Sequence, residues 1–279
     1  MIPAAFDYEA AESVDHAIGL LGSDQDAKAL AGGHSLVPAL KLRIARPSKL
    51  VDIGRLSDLA YVKDAGTHVA IGALTRHAAA QSDPLLQEHC PIVSTTAAGI
   101  GDPQVRHRGT IGGSLAHGDP ASDMPAVMLA LGAEMVIVGA GGERTVAAAD
   151  FFTGVFETAV GPGELLTEIR VPKLGGSTGW SYVKFHRRAQ DWATVGVAAL
   201  VQRDNGSATG AMVALANMAG TPVRASAVED AIGAGTSPAD AAEHAADGTS
   251  PPDDTAASAE FRKHLARVLT KRALADAMS

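Results

Sequence analysis

Residues 28–53 read KALAGGHSLVPALKLRIARPSKLVDI, and this stretch decides the fold of the first part of the chain. Its pattern is strand, glycine turn, helix, strand. Leu36, Leu40 and Ile44 fall at helical spacing, Pro38 is tolerable in a first turn, and Pro47 ends the helix before a strand at Leu50 to Ile53. The product is one short β-α-β unit. At its bend, Ala31, Gly32, Gly33, His34 and Ser35 (AGGHS) put two residues without side chains between strand and helix. Successive N–H groups can converge on an anion there, the Ser35 hydroxyl adds a donor, and the helix adds its positive end. Such a turn can hold a pyrophosphate without lysine. A Gly-Gly turn also forms for geometry alone, and the motif by itself leaves both readings open.

A second pair of glycines lies further on, in TIGGS: Thr110, Ile111, Gly112, Gly113 and Ser114. Two donor-rich turns in one chain suit a dinucleotide, whose diphosphate can be approached from two sides. After the acid-rich HGDPASD, Asp123 either accepts from ribose or ribityl hydroxyls or caps the helix that begins at Met124, and the sequence does not separate these roles. The stretch VIVGAGGER (136–144) imitates the opening of the G-x-G-x-x-G fingerprint, but Arg144 stands where the third glycine belongs and no long amphipathic helix follows. It reads as a hairpin turn, which disfavours a nicotinamide-binding Rossmann site. His117, Asp119 and Asp123 lack a metal-ligand spacing, His34, His107 and His186 fit no catalytic pattern, and there is no G-x-S-x-G elbow.

Around these motifs the remaining elements fall into place as an α+β chain. VAIGALTRHAAAQSD (69–83) reads as strand then helix, Met124 to Leu131 as an apolar helix stopped by Gly132, and Met135–Val138 with Thr145–Ala147 as a hairpin. LLTEIRVP (165–172) is another strand. KLGGSTG (173–179) marks a boundary near 175, after which Trp180–Arg188, Thr194–Gln202 and Ala211–Asn217 alternate like an antiparallel sheet. Residues 233–258 are rich in Pro, Gly, Ser and Asp, as an exposed connection would be, and the last segment places Phe261, Leu265, Val268 and Leu269 on one helical face.

Composition bounds the function. With 46% hydrophobic and 19% charged residues over 279 positions, the chain is globular and long enough for two or three units. Its formal charge of −8, without a basic stripe, disfavours nucleic acid and leaves neutral donors to hold a phosphorylated ligand. The acidic N-terminal stretch does not resemble a signal peptide and no apolar run is long enough to span a bilayer, so a cytoplasmic protein is expected. Cys90 is the one cysteine, which excludes internal disulfides and a Cys-ligated cluster or zinc site within the chain.

The ordered set AGGHSLVPALKLRIARPSKLVDI (31–53), TIGGSLAHGDPASDMPAVMLALGA (110–133) and PGELLTEIRVP (162–172) resembles the FAD-binding medium subunits of molybdenum-containing hydroxylases of the carbon monoxide dehydrogenase and xanthine dehydrogenase type. The likeness runs from IPAAFDYEAA to the final helix. It implies two α+β FAD-binding subdomains of the PCMH type, at 1–58 and 59–175, with the flavin in the cleft between them, and a C-terminal domain of antiparallel sheet plus helices at 176–279. Carried over by position, Ala31–Ser35 would wrap the diphosphate from one side and Thr110–Ser114 from the other. The acid matching Asp123 would contact the ribityl or ribose region, and Ile100, Leu166 and Lys184 would approach the cofactor; the alternatives are core packing for Ile100 and Leu166 and solvent exposure for Lys184. Two departures stand out: Ser114 where many relatives carry asparagine, and Trp192 where relatives often place a tyrosine that can cover the isoalloxazine.

The resemblance further implies a heterotrimer, usually doubled. A large molybdopterin subunit would hydroxylate substrate, a small subunit would carry two [2Fe-2S] clusters, and FAD on this chain would collect the electrons, with no catalytic residue and no metal here. Two other readings remain at this point: a stand-alone FAD-dependent oxidase or dehydrogenase, and a scaffold subunit whose flavin site has decayed. Neither substrate nor final electron acceptor can be read from the chain.

Overall fold

A computed structural model describes residues 1–279. The first layer is a three-stranded parallel sheet made of β1 (Asp7–Ala10), β2 (Lys28–Leu30) and β3 (Lys49–Asp52) in the order β1-β3-β2, with α1 (Val14–Gly22) and α2 (Leu36–Lys41) as crossovers. Ala17, Ile18 and Leu21 of α1 pack on Val51 and Ile53 to close a small core of their own. The strand-turn-helix-strand reading of 28–53 matches this unit, but the helix is a turn shorter than its apolar spacing suggests. Arg43 adopts a left-handed φ of 60° that ends it, and Ile44 is left exposed.

The middle of the chain forms β4 (Val62–Asp64), β5 (His68–Gly72), the short helices α3 (His77–Ala80), α4 (Pro84–His89), α5 (Pro91–Ala98), α6 (Pro103–Arg108) and α7 (Ile111–His117), and then α8 (Asp123–Leu131). β6 (Glu134–Gly139), β7 (Gly142–Ala147), α9 (Ala148–Phe151), β8 (Phe152–Gly154), β9 (Glu157–Thr158) and β10 (Leu165–Pro172) complete it. The main sheet runs β4-β5-β10-β6-β7, and each adjacent pair is antiparallel. The GAGG stretch is the tight turn of the β6–β7 hairpin, where Gly139 pairs with Gly142, whose φ is 102°. Every residue of α8 is buried, because this helix lies between the β5-β10-β6 layer and the third sheet. Cys90 is buried here too, its thiol pushed up to about 12 chiefly by burial, so it is an inert packing residue.

The third sheet is antiparallel, β11 (Thr178–Phe185), β12 (Val195–Asp204), β13 (Ser207–Ala216) and β14 (Val223–Arg224) in that order, covered by α10 (Ser226–Gly233), α11 (Pro238–Ala241) and α12 (Ala259–Met278). Two expectations change here. Residues 233–258 are only partly an exposed connection: α11 and the 3-10 turn at Ala242–Ala246 bury Ala241, Ala242, Ala245 and Ala246, small side chains that a polar-looking composition hides. In α12 the inward stripe is Leu265, Ala266, Leu269, Ala273, Leu274 and Ala277, with Phe261 exposed and Val268 half-buried. The displaced stripe follows Arg262, which is fully buried and donates to Thr194 O at 2.5 Å and to both oxygens of Asp254 at 2.8 Å. No helix is long and apolar enough to cross a membrane.

Candidate functional site

The two paired-glycine segments meet. A β-carbon on Gly32 would collide with the carbonyl oxygen of Arg108 and with the backbone of Gly109, and one on Gly113 would lie 3.9 Å from Cβ of Ala31. The missing side chains are therefore what lets the AGGHS turn seat against the residues leading into TIGGS. Gly33 takes φ 76°, a conformation that glycine adopts without strain. None of the N–H groups of Gly32, Gly33, His34 and Ser35 donates to a carbonyl of the chain, and the Ser35 hydroxyl makes no capping bond. Four peptide donors and a hydroxyl are thus left without partners in the turn that packs beside TIGGS, as an anion cradle requires.

The second segment is built differently from the expectation. It is not a loop of open amides but the first turn of α7, with Thr110 as its N-cap. The Ile111 N–H donates to Thr75 O, that of Gly112 to Ala73 O (both 2.9 Å), that of Gly113 to Thr110 Oγ1 and that of Ser114 to Thr110 O (both 3.0 Å). Ile111 and Gly112 are buried, and a β-carbon on Gly112 would come within 2.7 Å of Ala73 backbone atoms. Their peptide groups are spent on packing, so they cannot join the Gly32–Ser35 amides around a ligand. What this side presents is the half-buried Gly113 and Ser114, because Thr110 is buried and its hydroxyl oxygen accepts from the Gly113 N–H. Thr167 O, next to Leu166 on β10, accepts from Ala73 N–H at 2.9 Å, so the same backbone relay locks α7 to the main sheet.

Asp123 opens α8 without capping it, since that place falls to Ser122. Its carboxylate is buried and accepts from the Tyr182 hydroxyl at 2.5 Å and from Lys184 Nζ at 3.0 Å. Burial, partly offset by Lys184 and Tyr182, raises the Asp123 carboxyl above its ordinary value, and burial followed by the Asp123 charge raises the Tyr182 phenol. Lys184 is far from the solvent-exposed residue that one reading allowed: its side chain is 9% exposed and its ammonium also reaches Gly99 O at 3.5 Å, beside the half-buried Ile100. Ile100, Asp123 and Lys184 are therefore neighbours, while Leu166 lies in the core of the middle layer. Sequence reasoning missed Tyr182, although its place two residues before Lys184 on one face of β11 was available from strand periodicity.

The connection between β11 and β12 closes over this region. Gln190 Nε2 donates to Asp102 Oδ2 at 2.9 Å and Ala193 N–H to Ala121 O at 3.3 Å, while Asn217, just past β13, donates its N–H to Pro120 O at 2.8 Å. Trp192 sits on that connection and is 63% exposed. The residues present have the chemistry that a flavin dinucleotide calls for: neutral donors and small residues in the AGGHS turn, a buried acid and ammonium at Asp123 and Lys184, and an exposed aromatic side chain at Trp192.

Comparison with known proteins agrees with the geometry. Residues 4–174 match the family model described as FAD binding domain in molybdopterin dehydrogenase, and residues 180–277 match CO dehydrogenase flavoprotein C-terminal domain. The chain is 40% identical to the carbon monoxide dehydrogenase medium chain of Hydrogenophaga pseudoflava over 98% of its own length and 97% of that protein's. It is also 40% identical to the 6-hydroxypseudooxynicotine dehydrogenase complex subunit alpha of Paenarthrobacter nicotinovorans, covering 100% of this chain and 96% of the other. A chain in the solved structure of reconstituted CO dehydrogenase from Oligotropha carboxidovorans superposes with a TM-score of 0.96 at 40% identity, covering 100% of this chain and 99% of that one.

Proposed function

We propose, from the premise that this chain belongs to the family of FAD-binding subunits of molybdopterin dehydrogenases, that it is the electron-relaying subunit of a multi-subunit molybdenum hydroxylase. In this reading it receives electrons from [2Fe-2S] clusters of a small partner subunit, after a large molybdopterin subunit has oxidised the substrate, and passes them to an external acceptor. Bound FAD supplies the exchange between one-electron and two-electron partners. The chain's own residues bind and orient. The free amides of Gly32 to Ser35, with Gly113 and Ser114 opposite and Thr110 capping the turn beneath them, would hold the diphosphate, and Asp123, fixed by Tyr182 and Lys184, would meet the ribityl hydroxyls. Ala31 and Ile100 line the walls, Ile111, Gly112 and Leu166 support them from behind, and Trp192 shields the ring from water.

The observation that carries the reading is the meeting of two glycine-paired segments around four unpartnered amides. The division at 1–58, 59–175 and 176–279, a cytoplasmic location and a dimer of heterotrimers belong to the same proposal. Similarity supports the role but not a substrate, since relatives of equal identity are named for carbon monoxide and for 6-hydroxypseudooxynicotine. The test is to purify the chain with whatever copurifies and to follow flavin absorbance while candidate substrates are added. Flavin that bleaches with substrate only when the partner chains are present is the expected result; bleaching by the isolated chain would make it a self-contained oxidoreductase, and colourless preparations would end the proposal.

A further inference from the structure

The Arg76 side chain is held on the main chain of Arg108 at the edge of the AGGHS turn. A guanidinium nitrogen of Arg76, Nη1, donates to the main-chain carbonyl of Arg108, the same oxygen against which Gly32 is packed, and Arg76 forms a bridge to Thr110. Two segments, the turn and the residue before α3, thus converge on one carbonyl at the end of α6. Arg76 is half-buried, Arg108 is exposed, and neither forms an ion pair within the chain. Asp52, the acid whose charge acts on Arg76, accepts from the Tyr8 hydroxyl at 2.6 Å and the Gly54 amide at 2.8 Å. Burial first, and then the charge of Arg108, lowers Arg76 from its ordinary value, and Asp52 offsets this only in part.

A fold with a formal charge of −8 gains nothing from forcing two cations together unless an anion joins them. We propose that Arg76 and Arg108 form a cation pair that neutralises the diphosphate of the nucleotide lying against Gly32–Ser35, an inference that rests on the FAD reading of the cleft. Guanidinium groups suit the task because their planar fork matches phosphate oxygens and stays charged at any working pH. The amides orient the diphosphate, and the arginines supply the charge that the peptide donors lack. This revises the sequence-based expectation that neutral donors carry a phosphorylated ligand here, because neither arginine belongs to a glycine motif.

The test is titration of the flavin-stripped full-length chain with FAD and with riboflavin, which has no phosphate. Arg108→Met is the cleaner variant, because the contact holding the turn uses the Arg108 carbonyl and not its side chain. Arg108→Met and Arg76→Met are each expected to raise the FAD Kd at least fivefold and to leave the riboflavin Kd unchanged, while Arg76→Lys stays within twofold of the parent for both. Unchanged FAD affinity in both methionine variants overturns the inference and leaves the FAD reading intact. So does a riboflavin affinity that falls in step with that for FAD, since it would mean Arg76 only props the turn. A parent chain that binds riboflavin and FAD equally overturns the inference as well, and one that binds neither removes the reading of the cleft together with it.

Discussion

Lys184 Nζ lies 3.0 Å from Asp123 Oδ2, and the two side chains are only 9% and 7% exposed. One residue ends the strand that opens the third sheet, the other starts the most buried helix of the middle layer, so their ion pair is a bolt through the interior. Breaking a buried pair from one side strands a charge, at a cost of about 3–5 kcal/mol. Lys184→Met is therefore expected to lose roughly that much stability, and Asp123→Asn/Lys184→Met distinctly less than the two single losses together, measured by denaturant unfolding of all four chains. The sign with pH follows from the raised Asp123 carboxyl: the folded state takes up a proton more readily than the unfolded one, so in Lys184→Met stability should rise as pH falls through that window. A flat or opposite slope would remove Asp123 as the stranded charge.

Gly32 and Gly112 should fail in different ways although both sit in a Gly-Gly pair. A methyl on Gly112 meets the Ala73 backbone inside the core, and overpacking of this kind costs about 1–3 kcal/mol. A methyl on Gly32 meets the Arg108 carbonyl at the junction of the two segments and pushes them apart. Gly112→Ala is expected to lower the unfolding midpoint markedly, and Gly32→Ala to release flavin with a smaller change in midpoint. Equal flavin loss at equal stability in both would contradict the packing described. Gly33→Asp should also release flavin, because it puts a carboxylate and an unfavourable left-handed residue where the phosphates approach.

His77 supplies a pH dependence of opposite sign. Its ring is buried beneath Gly109, Nδ1 has no partner, and burial, helped by Arg106, brings it down to about 4 from the ordinary histidine value of 6.5. A lowered cationic group binds its proton better when unfolded, so stability is complete above the unfolded value and declines as pH falls from about 6.5 toward 4, by about 3 kcal/mol in all. Unfolding curves at pH 7, 5.5 and 4.5 should show this loss in the parent and a flatter profile in His77→Leu; identical profiles would show that His77 is not the titrating group.

The peripheral turns and strands were legible because each is written in local chemistry: Gly32–Gly33 between strand and helix, the β6–β7 hairpin, the alternation from Trp180 to Asn217. What escaped was decided by contacts between distant residues. TIGGS looks like an open loop, yet carbonyls of Thr75 and Ala73 some 35 positions earlier claim its amides and wind it into a helix. Asp123 looks like a cap until Tyr182 and Lys184 arrive from another sheet. Ile44 and Phe261 obey helical spacing and still face solvent, because a left-handed Arg43 and a buried Arg262 reset the local geometry.

The seam under the β11–β12 connection is sewn largely with main-chain atoms: Ala193 N–H to Ala121 O and Asn217 N–H to Pro120 O. Any residue other than proline supplies the same N–H, so these stitches do not depend on which side chains stand at 193 and 217. A chimaera that joins the first 175 residues of this chain to the last third of a distant relative would inherit them without redesign. Besides the small side chains of β12 and β13 that pack on α8, the residues standing in for Tyr182 and Lys184 would have to be matched to Asp123, which makes that trio a checkpoint for exchanging the two parts.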